Sequence, residues 1–308
     1  MSTVLEVSAT PVRPLTFRLP AVVLFAGGYV GLVLFGQWLS LNPGHTSTVV
    51  LTSGLYIAVL LSSERTTWLK WAATVFALEC LIVLGLFHES LTEALSDAAS
   101  HAAGAYAGAH LIRACRGLPF RVENLRDVNV FFVGAALLGP AVSISVHFLL
   151  ASASGHHFTG LDWMSYWTGD AAGAMVMAPL LLVLRQHAPR WRTVPPLKWL
   201  EAAVLYLLLA LVLHIMFSLK LPTLYLALPL ILWAAVRLGM PGTMVFMLVL
   251  MAFMVRYNAL GLGPYGVLPL GRSLMVQSFL VVAAVSAMCL SAIFFSVSKG
   301  ATGAAACA

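Results

Sequence analysis

Acidic and histidine side chains occur inside segments of this chain that are otherwise apolar. Asp170 is the clearest example, because it lies within the apolar run WMSYWTGDAAGAMVMAPLLLVLR, residues 163–185. A helix rising about 1.5 Å per residue places Asp170 roughly 10 Å below Trp163, inside the hydrocarbon core of a membrane. A carboxylate at that depth is strongly unfavourable unless it is protonated, paired or facing water. Asp170 therefore predicts either a charged partner or a polar cavity.

Other ionisable residues share the predicted depth of Asp170. Measured from the ends of their predicted helices, they lie between the middle and the outer edge of the membrane: Glu79, Asp97, His101, His147 and His214. Arg256 and Arg272 flank the last outside loop. We expect these side chains, with Trp167, to form a ligand-binding cavity that opens outward. Asp170 or Asp97 would pair there with one of the two arginines. The alternative is that the polar groups only form hydrogen bonds between helices, each worth about 1 kcal/mol.

The elements that must position these residues are membrane-spanning helices. Hydrophobic residues make up 61% of the 308 residues and charged residues only 9%. Such a chain has too few polar residues to cover a soluble globule. We therefore predict an all-α fold, a polytopic transmembrane helix bundle of about ten helices, with eight as the lower limit. The apolar segments run over residues 20–39, 46–62, 67–87, 91–113, 127–152, 163–185, 198–218, 222–237, 240–257 and 272–298.

The distribution of positive charge predicts the orientation of the bundle. If the N-terminus is cytoplasmic, only three of the 17 lysines and arginines fall in outside segments, namely Lys220, Arg256 and Arg272. Because cytoplasmic loops are enriched in lysine and arginine, this bias predicts that both termini are cytoplasmic. The predicted organisation is a cytoplasmic lead-in at residues 1–19, a membrane domain at 20–298 and a short cytoplasmic tail at 299–308.

Small residues recur at helical spacing in two of the predicted helices. Gly169 and Gly173 form a small-xxx-small pattern in the sixth helix, and Gly104 and Gly108 continue the face that carries Asp97 and His101 in the fourth. Glycines at this spacing allow helices to approach closely. We therefore interpret the glycines, together with Trp163 and Pro179 of the sixth helix, as structural.

The sequence offers little support for a metal site or for catalysis. His156 and His157, with Asp162, His45 and His88 on outer loops, lack the ligand spacing of a metal site, so we prefer solvated loop histidines. We expect no metal and no cofactor. Phosphate-binding glycine loops, HExxH and GxSxG motifs do not occur in the sequence, and the basic residues lie between apolar runs. We accordingly expect neither an enzyme nor a nucleic-acid partner.

The sixth helix carries a motif that resembles a known family. The pattern W-x-x-x-W-x-G-D-x-x-G-x-x-x-x-A-P-L-L-L, which spans residues 163–182 here, looks like the signature of the bacterial membrane-associated sensor domain of the first type, called MASE. Residues 125–128, residues 228–239 and the Gly263-Pro264 loop fit the same family. The resemblance covers roughly residues 20–298.

The resemblance implies an integral membrane sensory domain in the bacterial cytoplasmic (inner) membrane. Such domains precede cytoplasmic outputs such as diguanylate cyclases, cyclic-di-GMP phosphodiesterases or histidine kinases. We expect an output of this kind in the same chain or in trans, with a homodimer as one arrangement. Only KGATGAAACA follows Ser298, so we expect either a fragment or a stand-alone sensor. The alternative functions are a secondary transporter or channel that uses the intramembrane acids, and a scaffold that recruits proteins through the arginine-rich loops.

Overall fold

The computed structural model describes residues 14–40, 48–118, 120–153, 155, 158–186, 195–219, 224–262 and 269–306. These residues form α-helices and no β-strand. The helices are α1 (Leu19–Ser40), α2 (Leu51–Ser62), α3 (Trp68–Gly85), α4 (Leu91–Arg116), α5 (Leu125–Phe131), α6 (Gly139–Ala153), α7 (Gly160–Gln186), α8 (Pro196–Ser218), α9 (Ala227–Arg237), α10 (Gly239–Ala259) and α11 (Pro269–Ala306). A π-helical segment, Phe132–Leu138, joins α5 and α6 into one continuous helix. The all-α prediction is confirmed.

Seven of the described helices are long and apolar enough to cross a membrane. They expose apolar side chains outward, as Leu24, Leu81 and Leu207 illustrate with exposed fractions of 79%, 69% and 70%. In water such a surface would be unstable, whereas lipid tails cover it without penalty. The chain is therefore a multi-pass membrane protein.

Two helices are shorter than the sequence predicts. Helix α2 begins at Leu51 instead of residue 46, and α9 begins at Ala227 instead of residue 222. At about 1.5 Å per residue, helices of 12 and 11 residues are too short for a hydrocarbon core about 30 Å thick. The approach to α2, residues Thr48–Val50, is non-helical backbone.

Local sequence signals explain where α4 and α5 begin. Ser90 and Glu93 form a capping box at the start of α4, and Asn124 and Asp127 form another at the start of α5. Each box satisfies backbone N–H groups that the first helical turn leaves without partners. Asp127 also forms an ion pair with Arg116, which ties the end of α4 to the start of α5.

Helix α7 is the central helix of the bundle. Within its most apolar 18-residue window, 72% of the residues are buried, against 17% to 44% for the other six candidate spans. It packs against α2, α6, α10 and α11. Its residues are small over much of this length, including Ala171, Ala172 and Ala174, so neighbouring helices approach it closely.

The glycines of α4 lie against the continuous α5–α6 helix. A Cβ atom built on Gly104 would lie 2.7 Å from the carbonyl oxygen of Gly139, and one on Gly108 would lie 2.5 Å from that of Gly134. Both contacts are with backbone, which cannot easily move aside. This close packing positions the polar face of α4 toward α3 and α6.

Candidate functional site

An internal cavity lies near the end of the bundle where α1, α3 and α6 finish and α4 and α7 begin. Its volume is about 100 Å³, which is room for a few water-sized molecules. Five of the predicted site residues line it: Glu79 on α3, Asp97 and His101 on α4, His147 on α6 and Asp170 on α7. Tyr166 on α7 and Thr52 on α2 add polar groups to its wall, and the apolar residues Val49 to Leu51 also line it.

Two carboxylate–imidazole pairs form one side of the cavity. His101 Nδ1 lies 2.6 Å from Glu79 Oε1, and His147 Nδ1 lies 2.8 Å from Asp97 Oδ1. Because Asp97 and His101 are four residues apart, they share one face of α4 and connect α3 to α6 through it.

Glu79 has a second partner on the first helix. The Tyr29 hydroxyl donates a hydrogen bond to Glu79 Oε1, and both side chains are buried. Tyr29 on α1, Glu79 on α3 and His101 on α4 thus form a three-residue network. The network satisfies a carboxyl group that would otherwise be unfavourable at this depth.

Asp170 is the least satisfied acid of the cavity. The residue is 8% exposed, and its Oδ1 atom is buried without a hydrogen-bond partner among the described residues. Ser53 on α2 lies within hydrogen-bonding reach of the carboxyl group. The first turn of α2 also faces the cavity, and its N-cap residue, Val50, provides no side-chain cap. Since the N-terminus of a helix carries partial positive charge, it favours a carboxylate nearby.

The glycines beside Asp170 accommodate the non-helical approach to α2. A Cβ atom on Gly173 would lie 2.0 Å from the carbonyl oxygen of Val50, and one on Gly169 would lie 2.8 Å from that of Thr48. The Val50 N–H donates to the carbonyl oxygen of Gly169 over 3.2 Å. Irregular backbone at membrane depth is tolerated only when protein buries it and satisfies its polar groups. The G-D-x-x-G motif meets that requirement.

The last helix takes part in the same arrangement through Gln277. Its Nε2 atom donates to the carbonyl oxygen of Thr48 over 2.6 Å, and its Oε1 atom accepts from the Thr168 hydroxyl over 2.8 Å. Gln277 is buried on α11, and Thr168 precedes the Gly169-Asp170 pair on α7. One side chain therefore connects α11, α7 and the start of α2.

The remaining motif residues of α7 lie beside the cavity. Trp167 does not line it: its indole Nε1 donates to the carbonyl oxygen of Leu137 in the π-helical segment over 3.2 Å. Trp163 packs against Trp167, with ring centroids 5.5 Å apart. Pro179 lies within the helix, in its buried part. These residues fix the position of α7 relative to α6.

Three predicted site residues lie elsewhere, and neither Arg256 nor Arg272 lines the cavity in which one of them is predicted to pair with Asp170 or Asp97. His214 is exposed on α8. Arg256 donates from Nη1 to the carbonyl oxygen of Trp38 over 2.6 Å and lies 4.8 Å from the centre of its ring, so it joins α10 to α1. The Nε atom of Arg272 is buried with no hydrogen-bond partner within the described ranges. None of the three lines the cavity, because similar depth does not place two side chains on the same face.

Several residues of the site are absent from the sequence-based prediction. Tyr29, Thr168 and Gln277 carry neutral polar groups, which an inspection for charged residues at depth passes over. The sequence feature that could have identified them is a neutral polar residue within an apolar helix, as in Gln277 within SLMVQSFLVV. The outer-loop residues His45, His156, His157 and Gly263-Pro264 lie outside the described residues. Among the residues that the structure describes, no group of three His, Cys, Asp or Glu side chains is arranged to hold a metal ion.

Comparison with known proteins identifies one family. Its model, MASE1, matches residues 20–296, nearly the whole described bundle. Neither the curated proteins nor the solved structures contain a match to this chain. The matched range includes every helix that contributes to the cavity, with the W-x-x-x-W-x-G-D-x-x-G motif at its centre. The chain therefore belongs to the MASE1 family of membrane-associated sensory domains.

Proposed function

We propose that this chain is the signal-input domain of a bacterial signalling protein in the cytoplasmic membrane, and that its stimulus acts at the acid–histidine cavity. The observation that carries the proposal is Asp170, a buried acid with one carboxylate oxygen that has no partner among the described residues, in a cavity of about 100 Å³. A buried polar atom that lacks a partner is unfavourable by roughly 1–3 kcal/mol, so a ligand or proton that satisfies it is stabilised there. Intramembrane ionisable groups mark functional sites by default.

The structure around Asp170 supports a route from the cavity to the last helix. A change at Asp170 acts on the adjoining turn of α7, where Thr168 holds Gln277. Gln277 belongs to α11, which runs to Ala306 at the end of the described chain. A stimulus shifts the equilibrium between two packings of α11 only by its differential affinity for them. With both termini in the cytoplasm, α11 delivers this shift to a diguanylate cyclase, a cyclic-di-GMP phosphodiesterase or a histidine kinase, in the same chain or in trans.

The first prediction is that Asp170→Asn abolishes the response to the stimulus. The full chain, purified in nanodiscs, is screened by thermal shift against small metabolites, metal ions and pH. A compound that raises the Tm of the wild type and leaves that of Asp170→Asn unchanged identifies the cavity as the input site. Asp162→Asn is the matched control, because Asp162 lies on the same helix but does not line the cavity. Its carboxylate accepts a hydrogen bond from the Thr159 hydroxyl. Equal shifts in all three proteins would count against the proposal.

The route to α11 has a separate readout. In the wild type, we expect the identified compound to change amide hydrogen exchange along α11. Gln277→Leu should remove that change, because the side-chain hydrogen bonds to Thr48 and Thr168 are lost. The compound should still raise the Tm of this variant, since the cavity itself is intact. Retention of the exchange effect in Gln277→Leu would exclude this route.

A secondary transporter is the second candidate, and the short helix α2 is the observation that favours it. A half-length helix whose N-terminus faces a charged cavity is a feature of transporter substrate sites. Uptake of a screened compound into proteoliposomes, abolished by Asp170→Asn, would favour transport. Binding without flux favours sensing.

A further inference from the structure

We infer that a second cavity, at the opposite end of the bundle, is an anion site for a phosphate group. It has a volume of about 320 Å³ and lies between the end of α2, the Arg65–Thr67 turn and the ends of α4 and α7. Arg65, Arg113 and Arg185 line it, and Glu64 is the one acid in its lining. This inference does not depend on the proposed function of the acid–histidine cavity.

Arg113 is the residue that carries the inference. Its Nη1 atom is buried and has no hydrogen-bond partner among the described residues. Its guanidinium group lies 5.6 Å from the centre of the Trp68 ring, in a cation–π contact. Trp68 is fully buried and donates from Nε1 to the carbonyl oxygen of Ser63 over 3.4 Å. The arginine is therefore held in place by a rigid aromatic neighbour while a strong donor remains unsatisfied.

Neighbouring arginines show that this arrangement is specific to the cavity. Arg116 forms an ion pair with Asp127, and Arg121 lies 3.7 Å from Glu123. Among the described residues, Arg113, near the same end of α4 as Arg116, forms no such ion pair. A buried charge-bearing donor without a partner is unfavourable, and the gain from supplying an oxyanion is correspondingly large.

The other polar groups of the cavity favour an anion over a cation. The Ser63 hydroxyl donates to the carbonyl oxygen of Val59 over 2.7 Å, and Gln186 donates from Nε2 to that of Phe120 over 2.7 Å. These bonds engage Ser63 and Gln186, and the three arginines outnumber the single acid, Glu64, in the lining. Arginine presents a planar set of donors that matches the oxygens of a phosphate group. A cavity of this volume accepts inorganic phosphate, a small phosphomonoester or the phosphate of a lipid headgroup.

The test measures the thermal stability of the full chain in maltoside detergent micelles, which contain no phosphate group. Inorganic phosphate, compared with chloride at equal ionic strength, should raise the Tm of the wild type by about 2 °C at tenfold its Kd. Arg113→Gln should abolish the rise and Arg113→Lys should reduce it, because lysine keeps the charge but not the planar donor set. Arg126→Gln is the control, since Arg126 is exposed and does not line the cavity. If Arg113→Gln does not fold, Arg65→Gln, at an exposed position, takes its place.

A second arm separates the two sources of phosphate. In the same micelles supplemented with phosphatidylglycerol and without free phosphate, a rise in Tm that requires Arg113 assigns the site to a lipid headgroup. A rise only with inorganic phosphate assigns it to a soluble ligand. No rise in either arm, or an equal rise in the Arg113 variants, would overturn the inference.

Discussion

The acids of the cavity are held by hydrogen-bonding partners that differ in kind. Glu79 contacts the Tyr29 phenol and the His101 imidazole, and Asp97 contacts the His147 imidazole. Asp170 has one oxygen with no partner in the part of the chain that the structure describes. Position along a helix gives depth, so the sequence could place all three acids at one level of the membrane. It could not give the rotation of each helix, which decides whether Arg256 or His101 reaches a carboxylate.

We predict that Tyr29→Phe lowers the free energy of unfolding by about 1 kcal/mol, because Glu79 loses one of two hydrogen bonds in a buried network. Reversible unfolding in mixed micelles measures the change. Tyr225→Phe, at a side chain that is 60% exposed, is the control and should be neutral. Equal effects of the two substitutions would show that the Tyr29 hydroxyl contributes nothing specific.

The packing of secondary-structure elements explains why α7 has two glycines close to Asp170. Residues Thr48–Val50 lie against α7 as non-helical backbone, and Gly169 and Gly173 leave room for it. The spacing of the glycines predicts close packing. It does not reveal that the neighbour is an irregular segment, because the apolar character of residues 46–62 is the same for a helix and for a buried non-helical stretch.

We predict that Gly173→Ala destabilises the protein by roughly 1–3 kcal/mol, because the new Cβ atom would lie 2.0 Å from the carbonyl oxygen of Val50 and the backbone must shift. Gly27→Ala is the matched control, since a Cβ atom there meets nothing within 4 Å. The unfolding free energies of both variants are compared with that of the wild type. A Gly173→Ala protein as stable as Gly27→Ala would contradict the close contact.

At the scale of the whole molecule, the cavities at its two ends are lined by different charged residues. Acids and histidines line the cavity at one end, and Arg65, Arg113 and Arg185 line the cavity at the other. Hydropathy alone predicts the helical bundle and its approximate number of helices, because lipid imposes the same length and apolar character on every span. It overestimates the length of α2 and α9, since an apolar run does not show where the α-helix begins. Non-helical backbone precedes α2, and a 3-10 turn, Leu224–Leu226, precedes α9.

The charge bias predicts that the arginine end faces the cytoplasm. We expect Leu262→Cys, between α10 and α11, to react with an impermeant maleimide added to intact cells. Glu64→Cys, between α2 and α3, should react only after permeabilisation. Both positions are exposed, so access to reagent is not limited by burial. The cysteines of the natural sequence are first replaced by serine, and the opposite labelling pattern would invert the proposed orientation.

The non-helical stretch Thr48–Val50 also has a consequence for the order in which the protein folds during biosynthesis. Its partners are made much later: Gln277 follows Thr48 by 229 residues. Until α7 and α11 enter the membrane, the backbone groups of this stretch lack their native acceptors and donors, and lipid provides none. The nascent chain must keep residues 48–62 at the membrane surface or within the insertion machinery. Assembly of the acid–histidine cavity is thus a late event that follows insertion of the final helix.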